Sequence, residues 1–375
     1  MTMTWLRYGT IALALAAIEL ALGHPGLAQE SEQDEYEITT DWGAAGYNWA
    51  GDFNGDGIDD IASAQPSGDM IMRLSDGRQF ERVTWSVPTQ WGGANYTWAE
   101  DINGDGTTDF VSALENSLFV HLSQGNAFES ATLTTPNRWG EPGYNWMGDF
   151  NGDGLQDLAS AHPNGEVTLR FFNGTDFDLQ TWSVPTQWGG ARYSWAADFN
   201  NDGLTDLASA LENQLFIHLS NGAGFDSTTQ ETAQPWGDPG YSWVGKFSSG
   251  SVVDVVTALP GGDMIMRFFD GPSFEAATWS VPTEWGGANY TWAEDFDDDG
   301  RTDFVSAQQS STFIHLTQDD SFQSQTVEIE RWGDPGYNLD GDFTGDGLRD
   351  IVSILPDGIV SMRQFTGSEF IVVNW

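Results

Sequence analysis

The sequence predicts an all-β fold, a closed ring of seven four-stranded antiparallel blades of about 48 residues each. Three observations predict this β-propeller. A Trp-Gly pair recurs at Trp42, Trp91, Trp139, Trp188, Trp236, Trp285 and Trp332, at intervals of 49, 48, 49, 48, 49 and 47 residues. An Asp-rich loop of nine residues follows each pair at a fixed offset, first as Asp52 to Asp60. Between loops, short β-branched and aromatic runs alternate with Gly, Pro, Asn and Asp turns, and no window beyond the first thirty residues shows a helical period.

At the N-terminus, Arg7 precedes an apolar run from Ile11 to Leu22, broken by Glu19, and then the small-residue stretch Gly26-Leu27-Ala28. Charge, apolar core and small residues in that order read as a signal peptide over 1–28. The run is short for a membrane span and carries a carboxylate. The mature chain is therefore expected to be secreted or periplasmic, without membrane insertion. Residues 29–41 form an N-terminal segment expected to close the ring: Tyr36–Asp41 aligns with the linker that follows a fourth strand, and Trp375 aligns with Trp85. The two ends together make one blade junction, which a ring requires and a solenoid does not. The blades are expected at 42–90, 91–138, 139–187, 188–235, 236–284, 285–331 and 332–375.

Within blade one, strands are predicted over Tyr47–Phe53, Asp60–Ala64, Met70–Leu74 and Phe80–Trp85. A finer pattern runs through the third strand. Blades one, three, five and seven carry Arg73, Arg170, Arg267 and Arg363 there; blades two, four and six carry His121, His218 and His315. A Ser-Val-Pro-Thr linker follows blades one, three and five. The repeat is thus a pair of blades, and the junction of blade seven with blade one must differ from the rest.

The formal charge is −43, from 56 acidic and 13 basic residues, with Lys246 the only lysine. Such a surface repels nucleic acid, whose binding needs clustered Lys and Arg. The 18 Trp, 23 Phe and 9 Tyr argue against the disorder that high charge usually brings. The chain has no cysteine, so stability rests on core burial and metal rather than disulfides.

The loop places oxygen side chains at positions 1, 3, 5 and 9 and Gly at position 6, and the carbonyl of position 7 adds a further donor. That set suits a hard cation, expected to be Ca²⁺, with about six structural ions over the ring. The expected ligands are Asp52, Asn54, Asp56, Ile58 and Asp60 in blade one; Asp101, Asn103, Asp105, Thr107 and Asp109 in blade two; and Asp149, Asn151, Asp153, Leu155 and Asp157 in blade three. Blade four offers Asp198, Asn200, Asp202, Leu204 and Asp206; blade six Asp295, Asp297, Asp299, Arg301 and Asp303; blade seven Asp342, Thr344, Asp346, Leu348 and Asp350. Position 12 is Ser or Thr throughout, on a β-pattern, where an EF-hand has a bidentate Glu between helices. The fifth copy has Lys246, Ser248 and Gly250 at the first three ligand positions and keeps only Asp254. It is expected to bind no Ca²⁺, with the Lys246 ammonium paired to Asp254.

These loops in four-stranded units resemble the FG-GAP/VCBS repeat family over residues 42–375. That family includes integrin α-chain propellers and the fungal propeller lectins of the PVL type. The resemblance implies a seven-bladed propeller with structural Ca²⁺, and sugar sites in pockets between neighbouring blades. Ala-Ser-Ala follows the loop here in place of the Gly-Ala-Pro-like ending of the family. The sugar ligands of the lectins have no residue-by-residue match, so only the pocket location carries over.

On the face opposite the loops, the pattern Trp-Gly-x-x-x-Tyr-x-Trp recurs beside turns carrying Glu115-Asn116, His162-Pro163-Asn164, Glu212-Asn213 and Gln308-Gln309. Aromatic rings beside hydrogen-bonding groups suit pyranoses, which have an apolar face and polar edges. The Trp-Gly tryptophans at 42, 91, 139, 188, 236, 285 and 332 are therefore candidate ligand platforms, with a carbohydrate or glycoconjugate as partner. Packing between blades is the competing role, and Leu339 in place of the second Trp of blade seven favours it for that position. Two alternatives stand beside a lectin-like module: an integrin-like adhesion propeller binding an extracellular protein, and a polysaccharide lyase or hydrolase working at the central opening. No catalytic constellation is found, since the three periodic histidines sit on alternate blades and cannot converge on one metal.

Overall fold

A computed structural model of the chain describes residues 42–374, except 88–90, 186–187, 233–235, 249, 251, 270–272, 282–284, 309, 330 and 357. They belong to one compact unit, Ile38–Trp375. The expected signal peptide (1–28) and closing segment (29–41) lie outside the described residues. Seven separate sheets form, each of four antiparallel strands taken in sequence order. In blade one these are Asn48–Gly51, Asp60–Ala64, Asp69–Ser75 and Phe80–Ser86; in blade seven, Asn338–Gly341, Asp350–Ile354, Val360–Phe365 and Phe370–Asn374. The protein is an all-β, seven-bladed β-propeller. Among the described residues no helix is long and apolar enough to cross a membrane.

Burial grades outward within each blade. The second strand is buried on both faces, as in Asp60–Ala64, because neighbouring blades cover it. The fourth strand alternates toward solvent, as in Phe128–Thr134. Position 2 of each loop is a fully buried hydrophobe: Phe53, Ile102, Phe150, Phe199, Phe247, Phe296 or Phe343. Each drives its loop down onto the core, which fixes where the acidic side chains stand.

The glycine of Trp-Gly is required by close approach. A Cβ on Gly92 would lie 2.1 Å from the Ala113 carbonyl oxygen, and one on Gly189 only 1.8 Å from that of Ala210. The linker can therefore lie against the end of its own second strand only without a side chain.

Blades are joined by a repeated tyrosine bond. The hydroxyl of the Tyr-x-Trp tyrosine donates to the Trp-Gly glycine carbonyl of the next blade: Tyr47 to Gly92 (3.1 Å), Tyr96 to Gly140 (3.1 Å), Tyr144 to Gly189 (2.6 Å), Tyr193 to Gly237 (2.6 Å), Tyr241 to Gly286 (2.9 Å) and Tyr290 to Gly333 (3.2 Å). On the opposite face, each loop bonds to the one before it, for example Thr108 N to Asp52 O at 2.7 Å and Thr205 N to Asp149 O at 2.6 Å. The ring closes in the same way. Asp59 N donates to Asp342 O at 2.8 Å, and Ser75 Oγ donates to Phe343 O at 2.7 Å.

Candidate functional site

The acidic loops repeat one geometry. The position 1 carboxylate accepts the position 6 amide at 2.8–2.9 Å in all six intact copies. Gly at position 6 has φ between 85° and 89°, with open space around it, so backbone conformation and not room demands glycine there. The position 9 aspartates (Asp60, Asp109, Asp157, Asp206, Asp303 and Asp350) are fully buried. Desolvation raises the pKa to about 7 in five of them and about 8 in Asp303, and the other loop carboxylates add to this.

In blade six, carboxylate oxygens of Asp295, Asp297 and Asp303 lie within 4.8 Å of one another. Oδ1 of Asp297 is buried and meets no hydrogen-bond donor. A convergent set of hard oxygens with an unanswered acceptor suits a divalent cation, whose charge would also offset the repulsion that raises these pKa values.

The fifth copy corrects one expectation. Lys246 is exposed, and among the described residues no ion pair joins it to Asp254. Asp254 is fully buried and is held by amides instead: Oδ1 accepts Phe269 N at 3.1 Å, and Oδ2 accepts Phe247 N at 3.2 Å and Ser248 N at 2.9 Å. The same two-sided grip recurs at position 9 elsewhere. Oδ1 takes the amide at the end of the third strand at 2.6–3.1 Å in all seven blades. Position 9 therefore organises the blade whether or not a cation is present, which is why it alone survives in the damaged copy.

The Trp-Gly tryptophans also depart from expectation. In blades one, three, five and seven, the guanidinium carbon of the third-strand arginine lies over the ring: Arg73 over Trp42 at 3.2 Å, Arg170 over Trp139 at 3.7 Å, Arg267 over Trp236 at 3.8 Å and Arg363 over Trp332 at 3.9 Å. In blades two, four and six the histidine takes that place, with ring centroids 4.9–5.1 Å apart for His121–Trp91, His218–Trp188 and His315–Trp285. The second neighbour is the Tyr-x-Trp tryptophan of the preceding blade, at 5.4–6.3 Å in six junctions. At the remaining junction Leu339 packs in the same cluster as Trp42. These seven rings are packed between blades and are not open stacking platforms.

What stays open on that face are clefts between blades, which some of these rings reach only in part. One, between blades five and six, encloses about 300 Å³ and is lined by Asp238, Tyr241, Leu259, Pro260, Trp285 and Gln308. Another, between blades six and seven, encloses about 680 Å³ against Tyr290, Gln308, Ser310, Ser311, Arg331 and Trp332. Both are of ligand size and mix aromatic surface with amide, hydroxyl and charged groups. The clefts themselves were foreseeable from the turns and linkers. Their lining by Tyr290 and Arg331 was not, because it depends on how adjacent blades meet.

Charged groups also gather at the ends of the first strands. Burial pushes Glu294 up to about 7, with Asp340 and Glu100 adding to the effect and Arg349 opposing it. Arg349 Nη2 donates to Asp340 Oδ2 at 2.9 Å. Coupling between Glu100 in blade two and Glu294 in blade six places both where the first strands converge.

Seven four-stranded blades with Asp-rich loops between their first and second strands define a calcium-loop type of propeller. The chain carries FG-GAP-like repeats: residues 52–112 and 149–209 match that repeat family. No curated protein matches the chain by sequence. Among solved structures, it is similar to a lectin from Agrocybe aegerita, described for its recognition of non-reducing terminal N-acetylglucosamine. The identity is 18% and the TM-score 0.62, covering 75% of this chain and 79% of the lectin. The Tc holotoxin pore of Photorhabdus luminescens matches at 12% identity and TM-score 0.50, over 89% of this chain but 19% of that one. BBS1N, solved in complex with ARL6DN, matches at 8% identity and TM-score 0.51, over 87% and 93%. At these identities the likeness concerns the fold.

Proposed function

We propose that the protein is a secreted or periplasmic carbohydrate-binding module whose sugar sites are clefts between adjacent blades, on a frame fastened by about six Ca²⁺ ions. The observation that carries this reading is the cleft between blades six and seven, about 680 Å³ with Tyr290, Gln308, Ser310 and Ser311 in its lining. Tyrosine and tryptophan edges answer the apolar face of a pyranose, while amide and hydroxyl groups answer its hydroxyls. A lectin among the similar structures supports the same reading. Clefts repeated around one ring would give avidity from individually weak sites.

Calcium supports this function from the other face. The loops bond to one another around the ring, so a cation in each would stiffen blade junctions without touching the sugar. A glycan array probed in millimolar Ca²⁺ and again in EDTA tests the proposal. Reproducible glycan binding in Ca²⁺ is expected, and its loss in EDTA only where the fold itself loosens. An array without any bound glycan in Ca²⁺ would exclude the carbohydrate reading.

A further inference from the structure

The three clefts that open in front of an arginine blade descend from one template, and the differences among them concern charge. In each, a turn of the even blade faces the linker that enters the next odd blade. That turn reads Leu114-Glu115-Asn116 in blade two and Leu211-Glu212-Asn213 in blade four, but Gln308-Gln309-Ser310 in blade six. The carboxylate has become an amide.

A second acid is lost beside the linker. In blade three, the residue before the Trp-Gly pair is Arg138, and its Nη2 donates to Glu166 at 2.9 Å. The same position in blade seven is Arg331, and Ile359 stands where Glu166 does, at the same distance before the third-strand arginine. Ile359 is 39% exposed and offers no side-chain acceptor to a guanidinium. One carboxylate is common to all three clefts, Glu141, Asp238 or Asp334, each acting on the tyrosine beside it. It does not distinguish them.

Arg331 itself is held at this lip by its backbone. It has φ of 69°, a left-handed conformation that Arg138 does not share. Its carbonyl accepts a bond from Arg363 Nη2 at 2.6 Å. The backbone atoms do the structural work, and the side chain is left as the only charged group in the lining of the 680 Å³ cleft. In a chain with 13 basic and 56 acidic residues, a cleft stripped of two acids and lined by an arginine stands apart. The long-range repulsion of the acidic surface does not override it, since exposed charges more than about 8 Å away are largely screened at physiological salt.

We propose that the cleft between blades six and seven takes an anionic saccharide, a pyranose bearing carboxylate or sulfate, and that Arg331 holds the anion. This rests on the carbohydrate reading above and narrows it for one site. A guanidinium meets either oxyanion through paired N–H donors, while Gln308, Ser310 and Ser311 remain for the hydroxyls.

Titration calorimetry on the full chain in Ca²⁺ tests this with three probes: oligogalacturonates, sulfated galactan oligosaccharides and neutral chitooligosaccharides. One or both anionic probes should bind, and more weakly as NaCl rises. Arg331→Gln should weaken that binding by roughly tenfold or more, the loss of one good ion pair. Ile359→Glu, which restores the acid of blade three at an exposed position, should weaken it similarly while leaving Arg331 in place. Arg138→Gln should leave it unchanged, and melting curves of all variants identify any that fail to fold. Anionic binding that is equal in the wild type, Arg331→Gln and Ile359→Glu would overturn the role of Arg331. Binding of the neutral probe alone would overturn the anionic specificity and leave the carbohydrate reading standing. Binding of none of the three, together with an empty glycan array, would remove both.

Discussion

The guanidinium of Arg170 is fully buried, stands 3.7 Å over the ring of Trp139, and finds its hydrogen-bond acceptors without a carboxylate. Nη2 donates to the carbonyls of Pro136 (3.3 Å) and Arg138 (2.9 Å), Nη1 to Ser160 Oγ (3.2 Å) and Nε to Thr135 Oγ1 (3.1 Å). Burial lowers its pKa to about 10, which still leaves it charged at neutral pH. The residue therefore ties the linker into blade three to that blade's third strand. Arg170→Ala should cost about 3 kcal/mol or more in urea denaturation, because it opens a cavity and orphans buried carbonyls. Arg170→Lys should recover little of this, since an ammonium cannot reproduce the planar fork. Stability of Arg170→Lys equal to wild type would contradict the clamp.

The acidic loops make a differential prediction. Asp303→Asn should remove one cation site, so its melting temperature falls in Ca²⁺ and its shift on adding EDTA is smaller than that of the wild type. Each occupied site is worth about 2.7 kcal/mol at a hundredfold excess of Ca²⁺ over its dissociation constant. Asp254→Asn should destabilise the protein equally with and without chelator, because Asp254 grips amides of Phe247, Ser248 and Phe269 in a loop without the other ligands. A wild-type melting curve indifferent to EDTA would show that the loops hold no metal.

His121, His218 and His315 give a pH dependence with a defined sign. Burial lowers each from 6.5 to about 4. The unfolded chain thus binds these protons first, so the stability they contribute is complete above about pH 6.5 and is lost as pH falls toward 4. Below pH 4 both states carry the proton and the loss levels off. Each histidine should account for on the order of 2–3 kcal/mol across that window. Unfolding free energies of His218→Gln, measured against wild type at each pH in saturating Ca²⁺, should show a shallower decline. Parallel curves would refute the assignment.

The tyrosine bonds between blades should be individually modest and collectively decisive. Tyr144→Phe deletes the 2.6 Å bond to the Gly189 carbonyl and should cost about 1 kcal/mol. Adding Tyr193→Phe, which deletes the matching bond to Gly237, should roughly double the loss, read as a fall in urea midpoint at constant slope. A double variant as stable as wild type would show that the bonds do not carry the junctions.

The ring was legible because its evidence is local and repeated. The Trp-Gly period, the turn residues and the nine-residue loop each sit within one short window, and the predicted strands of blade one fall within two residues of those found. What escaped is what one blade does to the next. Spacing showed that the tryptophans recur, but not that Trp49 would lie 6.0 Å from Trp91 or that His121 would take its other side. The alternation of Arg and His was visible, while its meaning, two ways of seating the same indole, required the fold. Lys246 and Asp254 are opposite charges eight positions apart, yet amides had already claimed the carboxylate.

An alternating pattern cannot close on an odd number. Arginine and histidine blades take turns until blade seven, with Arg363 over Trp332, meets blade one, with Arg73 over Trp42. Like then follows like once, at the junction where Leu339 replaces a tryptophan. That single mismatch deprives the ring of every rotational symmetry its repeats would otherwise allow. Each cleft consequently has its own address, so one can change its chemistry while its siblings keep theirs.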